Sequence, residues 1–134
     1  MSRKLVLDSC VFLTYASYNK LYRLVNAIDT YNLEIYVNED LIEELERNIP
    51  KVIKVNGITA KEILEPIYLF TIYTKTTQSF KNCPDPKDNF LFDIALQMGC
   101  EAIITIEKVL LNYVESPISV RDIVWFKQTF EVPV

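Results

Sequence analysis

Acidic residues recur along this chain in four places, each behind an apolar run or within or at the start of a helical pattern. Asp8 follows Leu5-Val6-Leu7, Glu43 and Glu44 stand side by side, Asp85 and Asp88 share one segment, and Glu107 lies just beyond Ala102-Ile103-Ile104-Thr105. The chain has no histidine, and its 3 cysteines, Cys10, Cys83 and Cys100, show no C-x-x-C spacing. Carboxylates without imidazole or paired thiolates suit a hard, oxygen-seeking cation such as Mg²⁺ or Mn²⁺. The chemistry such a cluster supports is reaction at phosphorus, where divalent ions activate water and offset phosphate charge.

The acids are not equivalent. Glu43 and Glu44 point about 100° apart on a helix, so only one of them faces a cleft shared with Asp8. Glu44, three residues after Leu41 and next to Leu45, belongs to the inward side; Glu43 and Glu46 read as surface charges. Asp88 lies in the first turn of a helix, with Asp85 in the loop before it as a cap. Asp93, beside Ile94, reads as structural, and Asn89 is placed to support a neighbouring ligand by hydrogen bonding. Ser9 adds a hydroxyl able to hold a carboxylate, a water or a phosphate. Cys10 reads as near-core rather than as a nucleophile, since nothing close to it in sequence lowers its pKa.

The elements that must carry these residues follow from the apolar pattern. Leu5-Val6-Leu7 is a continuous apolar run, as in a strand buried on both faces of a parallel sheet. Tyr18, Leu21, Tyr22, Val25 and Ile28 recur at helical spacing; residues 29–32 break the pattern and Ile35 to Val37 form the next strand. Asn38 is placed to cap a helix with Leu41, Ile42 and Leu45 on its apolar face, which Pro50 is expected to stop. Thr59 to Thr74 contains Pro66 and reads as two short helices or a bent one. Thr76 to Phe80 is expected as a strand, and Cys83-Pro84-Asp85-Pro86 as loop. A helix then starts near Pro86, carries Phe90, Leu91, Ile94, Ala95 and Met98, and ends at Gly99. Ala102 to Thr105 is a buried strand, Lys108 to Asn112 a short helical turn, and Ile118 to Val120 with a segment around Ile123 to Phe126 complete the chain. Alternating strands and helices imply α/β architecture, three layers around a parallel sheet, with ligands beyond the carboxyl ends of the strands.

Composition sets bounds on this picture. A chain of 134 residues, half of them hydrophobic and only 2 of them Gly, is expected to form one domain spanning residues 1–134 around a packed core. A net charge of −4 argues against a general nucleic-acid-binding surface, but part of that acidity is what a metal site requires. Lys75, Lys81, Lys87, Lys108, Arg121 and Lys127 remain available near or after the acids, and most of them read as solvated charges. An odd number of cysteines points to a reducing compartment. There is no apolar leader segment and no run approaching the ~20 residues of a membrane span, so a cytoplasmic protein without membrane contact is expected.

The segments Val-Leu-Asp8-Ser9-Cys10-Val, Asp40-Leu-Ile-Glu43-Glu44-Leu45, Asp85-Pro-Lys-Asp88-Asn89-Phe-Leu and Ile-Ile-Thr105-Ile106-Glu107-Lys108-Val-Leu-Leu resemble, in order and spacing, the PIN-domain nucleases. The resemblance covers the chain from the first strand to about residue 111. It is nearest to the single-domain PIN proteins that act as toxins of toxin-antitoxin pairs. It implies a Mg²⁺- or Mn²⁺-dependent ribonuclease with an RNA substrate, an antitoxin protein as partner, and often a homodimer. By position, Asp8, Glu44, Asp88 and Glu107 match the family's four acids, and Ser9 its small hydroxyl residue. Asp8 and Asp88 are then the primary ligands, Glu44 and Glu107 complete the shell, Asp85 and Asn89 support it, and Lys108 and Lys87 contact the substrate backbone.

The chain departs from the pattern where the family often has Asn, here Cys10, and where it commonly reads Thr-Gly-Asp-Lys-Asp, here Thr105-Ile106-Glu107-Lys108-Val109. Glu in place of Asp keeps the charge and moves a ligand by about the length of a bond. Two other readings compete with the nuclease. One is a catalytically weakened PIN-like scaffold acting through RNA or protein contact. The other makes Asp8 a phosphoryl-accepting nucleophile as in haloacid-dehalogenase-like phosphatases, although Cys10 holds the position of their second acid. The aromatic series Tyr15, Tyr18 and Tyr22 is placed on the first helix, for core packing or for a partner.

Overall fold

The computed structural model describes residues 1–56 and 59–134, without the side chains of residues 53–56. At its centre is strand β1 (Arg3–Leu7), whose Leu5, Val6 and Leu7 are fully buried. It pairs in parallel with β2 (Leu33–Val37) on one side and β4 (Ala102–Ile104) on the other. Parallel pairs β2·β3 (Ile72–Tyr73) and β4·β5 (Ser119–Arg121) extend the sheet to five strands, in the order β3-β2-β1-β4-β5. The connections lead one way from β1 through β2 to β3, and the other way from β4 to β5. The point where that direction reverses, between the carboxyl ends of β1 and β4, is where open α/β sheets form their binding crevice.

Seven α-helices among the described residues flank the sheet: α1 (Ser9–Ser17), α2 (Leu21–Tyr31), α3 (Glu39–Asn56), α4 (Ala60–Phe70), α5 (Asn89–Met98), α6 (Lys108–Leu111) and α7 (Ile123–Phe130). Local chemistry sets several boundaries. The Asn38 carboxamide oxygen accepts from the Leu41 amide at 3.0 Å and caps α3, as its position in the sequence suggested. Gly99, at φ +67°, closes α5 in the left-handed conformation that glycine adopts without strain. The core is continuous, from Val11, Phe12 and Tyr15 of α1 through the strands to Leu91, Phe92 and Ile94 of α5 and Phe126 and Phe130 of α7.

Several expectations are corrected. The first helix, expected to carry Tyr15 to Ile28, is two: α1 ends at Ser17, Asn19 takes a left-handed φ of 57°, and α2 runs from Leu21 to Tyr31. Tyr15, Tyr18 and Tyr22 therefore do not form one row: Tyr15 is buried with its hydroxyl donating to the Val132 carbonyl at 2.6 Å, whereas Tyr18 and Tyr22 are exposed. Pro50 does not stop α3, which continues to Asn56. The proline is exposed, and the inward-facing Ile49 and Val52 on either side of it bury against the core, so packing outweighs the one missing backbone bond. Pro66 is likewise carried inside a single helix, α4.

Residues 76–80 are not a strand; the third strand is Ile72–Tyr73. Side chains hold the following segment instead. Asn38 donates to Thr76 Oγ1 at 2.9 Å, Gln97 bonds both the amide and the carbonyl of Thr77, and the Asp93 carboxylate accepts from the amides of Ser79 and Phe80. The short turn Pro86–Asp88 is 3₁₀ and leads directly into α5. The segment after β5 is a full helix, α7, capped by Asp122, whose carboxylate accepts from the Trp125 amide.

Candidate active site

β1 ends at Leu7, so the next residue, Asp8, emerges at the carboxyl edge of the sheet's central strand. It is fully buried. Its Oδ1 accepts from the Ser9 amide at 2.8 Å and its Oδ2 from the Thr105 hydroxyl at 2.9 Å. Thr105 follows β4 in the same way that Asp8 follows β1, and the Asp8 amide donates to the Ile104 carbonyl. The two strand ends are thus tied together by backbone and side chain. Thr105 Oγ1 also accepts from the Glu107 amide at 3.1 Å, which turns the chain so that Glu107 comes back toward the crevice. Ser9, in the first turn of α1, donates its hydroxyl to Glu44 Oε1 at 2.5 Å. That bond fixes the inward orientation of Glu44, while Glu43 stays exposed at the rim.

Asp88 arrives from the opposite wall. The turn that carries it is capped by Asp85, whose carboxylate accepts from the Lys87 amide at 3.1 Å. Asp88 is almost fully buried, and its Oδ2 is the one buried side-chain oxygen or nitrogen without a hydrogen-bond partner among the described residues. The group it faces is Glu107. Two carboxylates cannot bond each other; only protonation of one supplies a donor. Burial, then the facing Glu107, then the more distant Asp8 and Asp85 push the Asp88 carboxyl well above the usual carboxylate range. Burial raises the Asp8 carboxyl as well, to about 6, partly offset by the Thr105 hydrogen bond, with Glu107 and Glu44 adding to the rise.

Glu44, Asp88 and Glu107 line one open cavity of about 420 Å³, together with Asp40, Glu43, Arg47, Asn48, Asp85, Lys87 and Phe90. Asp8 lies behind its floor, within electrostatic reach of Glu107, Glu44 and Asp88. The four sequence-selected acids therefore gather at one place, Asp8, Glu44 and Glu107 from the sheet's carboxyl edge and the helix beside it, Asp88 from the facing turn. Among the described residues, no three His, Cys, Asp or Glu side chains are placed to hold a metal ion as they stand. The donor set nonetheless fits a hard divalent ion. The acids offer only oxygens, and one buried carboxylate oxygen is left unpartnered beside a second carboxylate, an arrangement that a bound cation relieves, as does a proton on Asp88.

The remaining residues divide. Lys87 lines the acid cavity, whereas Lys108 is exposed and absent from its walls. Asn89 does not reach the acids, because its side-chain oxygen accepts from the Cys83 amide at 3.0 Å and the residue lines a neighbouring cavity. The Cys10 thiol, pushed up to about 12 mainly by burial and then by Asp8, lacks the character of a nucleophile, and all three cysteines are free. Sequence reasoning passed over Thr105, Arg47 and Asn48. Thr105 had a signal in its place directly after a buried strand, the same position relative to β4 that Asp8 holds relative to β1. Arg47 and Asn48 had one too, since each lies a helical turn beyond Glu43 or Glu44 and so shares its face.

A family model described as a PIN domain matches residues 4–108. No curated protein and no solved structure matches the chain.

Proposed function

The chain belongs to the PIN-domain family, whose members are generally nucleases, and on that premise we propose that it is a Mg²⁺- or Mn²⁺-dependent ribonuclease that hydrolyses RNA phosphodiesters. The single observation carrying the metal is Asp88 Oδ2, a buried carboxylate oxygen without a partner among the described residues, facing Glu107 in a cavity where carboxylates outnumber cations. Asp8, Glu44, Asp88 and Glu107 would hold the ion or ions. A bound ion supplies Lewis-acid polarisation of a phosphoryl oxygen and activation of water.

The protein's own residues supply position and charge. Thr105 and Ser9 hold Asp8 and Glu44 in place, so closing a shell around an ion would fall to movement of Asp88 and Glu107. The raised Asp88 carboxyl belongs to the metal-free site, where it favours a proton that binding of an ion would displace. Arg47 and Lys87 line the same cavity without an ion pair among the described residues, and they would meet the phosphates on either side of the cut.

The decisive experiment is cleavage of labelled single-stranded RNA by the purified protein with Mn²⁺. Cleavage should vanish with EDTA and in Asp8→Asn. The likeness to toxin-type PIN proteins adds an antitoxin partner, a homodimer and a cytoplasmic location to the proposal. Co-purification with the product of the neighbouring reading frame tests the first of these.

One observation favours a second reading, a scaffold that binds RNA or protein without cutting. Among the described residues no three acids are placed to hold a metal ion, in a chain that carries Glu107 where the family commonly has Asp. RNA binding that is unchanged by Mn²⁺, with no cleavage, would select it.

A further inference from the structure

Beyond the Phe90 wall of the acid cavity lies a second cavity of about 220 Å³. Its lining includes Gln78, Phe80, Lys81, Phe90 and Asp93, and it shares Asp40, Lys87 and Phe90 with the acid cavity. On the ribonuclease reading above, we propose that this second cavity receives the base of the nucleotide next to the scissile phosphate and selects bases that carry an exocyclic amino group.

Asp93 is the reason for the selectivity. It is only 4% exposed, yet it sits in the cavity lining. Its Oδ1 is committed to the amides of Ser79 (3.0 Å) and Phe80 (2.8 Å), which fix the wall. Its Oδ2 has no protein partner among the described residues. Oδ2 itself is not fully buried, so it is an accessible acceptor on a nearly buried, rigidly held side chain at the edge of a pocket, and a base that displaces water from it without supplying a donor loses that hydrogen bond.

Cytosine and adenine offer an amino group that can donate to such an oxygen. Uracil offers one N–H flanked by two carbonyls, whose lone pairs face a carboxylate unfavourably. Aromatic surface suits the base. Phe80, stacked on Phe92 with ring centroids 4.6 Å apart, is held in place from behind, and Phe90 stands between the two cavities. Lys81 and Lys87 make no ion pair among the described residues and are available to the flanking phosphates. The cavity lies below the usual range for drug-sized ligands, which favours one planar ring over a larger molecule.

Asp93→Asn makes a sharp test because the substitution is isosteric. The remaining side-chain oxygen still accepts from Ser79 and Phe80, while the free acceptor becomes a donor. Fluorescence anisotropy of end-labelled hexaribonucleotides of A, C and U, titrated with the full-length chain in Ca²⁺, reads the preference directly, with oligomer integrity checked on a gel. The wild type should bind the C and A oligomers about tenfold more tightly than the U oligomer. Asp93→Asn should reverse that order. Phe90→Ala should weaken all three by about tenfold, which keeps the pocket testable if Asp93→Asn melts early.

Equal binding of the C and U oligomers by the wild type overturns the proposal, as does a preference that survives Asp93→Asn in a folded protein. The two readings fail separately. A protein that prefers C and reverses with Asp93→Asn but cleaves nothing in Mn²⁺ keeps the base pocket and loses the nuclease. One that cleaves with no base preference keeps the nuclease and loses the pocket.

Discussion

Thr105 donates its hydroxyl to Oδ2 of Asp8 at 2.9 Å across the junction of β1 and β4, and Thr105 Oγ1 itself accepts from the Glu107 amide at 3.1 Å. One buried side chain thus sets the positions of two acids from different strand ends. Among the described residues the Asp8 carboxylate has one other donor, the Ser9 amide. Thr105→Val keeps the shape and removes both bonds. The loss should cost about 1–2 kcal/mol of stability, measured by urea unfolding. It should also raise the Asp8 carboxyl further above about 6, moving the acid limb of the Mn²⁺-dependent cleavage profile to higher pH. Thr105→Ser, which keeps the hydroxyl, should restore both. An unmoved acid limb in the valine variant would show that the bond only packs the junction.

Stability should depend on pH in a direction opposite to that of most acid-rich proteins. The folded-state carboxyl of Asp8 is raised to about 6, and that of Asp88 is raised by burial and the facing Glu107, both above an unfolded value near 4. The folded protein therefore holds more protons than the unfolded chain in this window, and stability falls as pH rises. Their contribution is fully present below about pH 4 and is lost as pH climbs through the two folded values. In EDTA the urea midpoint should be lower at pH 8.5 than at pH 5.5. Saturating Mn²⁺ should remove most of the difference, because a bound ion stabilises the deprotonated acids. A midpoint that rises with pH in EDTA contradicts the electrostatic description of the cavity.

The same repulsion makes an exchange of stability for function at Asp88. Asp88→Asn removes one buried charge facing Glu107 and provides an amide that can donate to it. The metal-free protein should gain about 1–2 kcal/mol at pH 8 while losing Mn²⁺ affinity and cleavage. Thermal melts in EDTA and calorimetric titration with Mn²⁺ separate the two effects. A destabilised variant would mean that Asp88 is held by contacts beyond those described here.

Much of this arrangement was legible in the chain itself, for a simple reason. Continuous apolar runs mark β1 and β4, parallel sheets place residues after such runs on one edge, and Asp8 and Glu107 follow the two runs. Asp88 was legible from its helix start, and Glu44 from the apolar neighbours on its face. What could not be read were effects that depend on distant packing. Pro50 obeys the local rule for a helix stop and is overruled by the buried Ile49 and Val52 beside it. The run Thr76-Thr77-Gln78-Ser79-Phe80 looks extended, but Asn38, Asp93 and Gln97, far from it in sequence, take up its backbone and side-chain groups. Tyr15 and Tyr18 are three residues apart, yet one is buried and one exposed because α1 ends between them in space. Asn89 looked like a partner for the acids until the Cys83 amide was found to occupy its oxygen.

Glu107 offers the test that separates a nuclease from a scaffold. Its amide is fixed by Thr105, which anchors the backbone beside Ile106, so at position 107 itself the departure from the family's usual Asp is one of side-chain length. Glu107→Asp withdraws the carboxylate by one methylene and relaxes its approach to Asp88. If the chain cuts RNA, Glu107→Asp should retain Mn²⁺-dependent cleavage with an altered Mn²⁺ requirement, whereas Glu107→Ala should lower the rate by about a hundredfold or more, as the loss of a metal-holding group does. If the chain is a scaffold, the wild type is silent. A gain of cleavage in Glu107→Asp alone would then identify this one methylene as the change that switched activity off. A wild type and both variants that cut equally well would remove Glu107 from the site altogether and leave Asp8, Glu44 and Asp88 as the acids that matter.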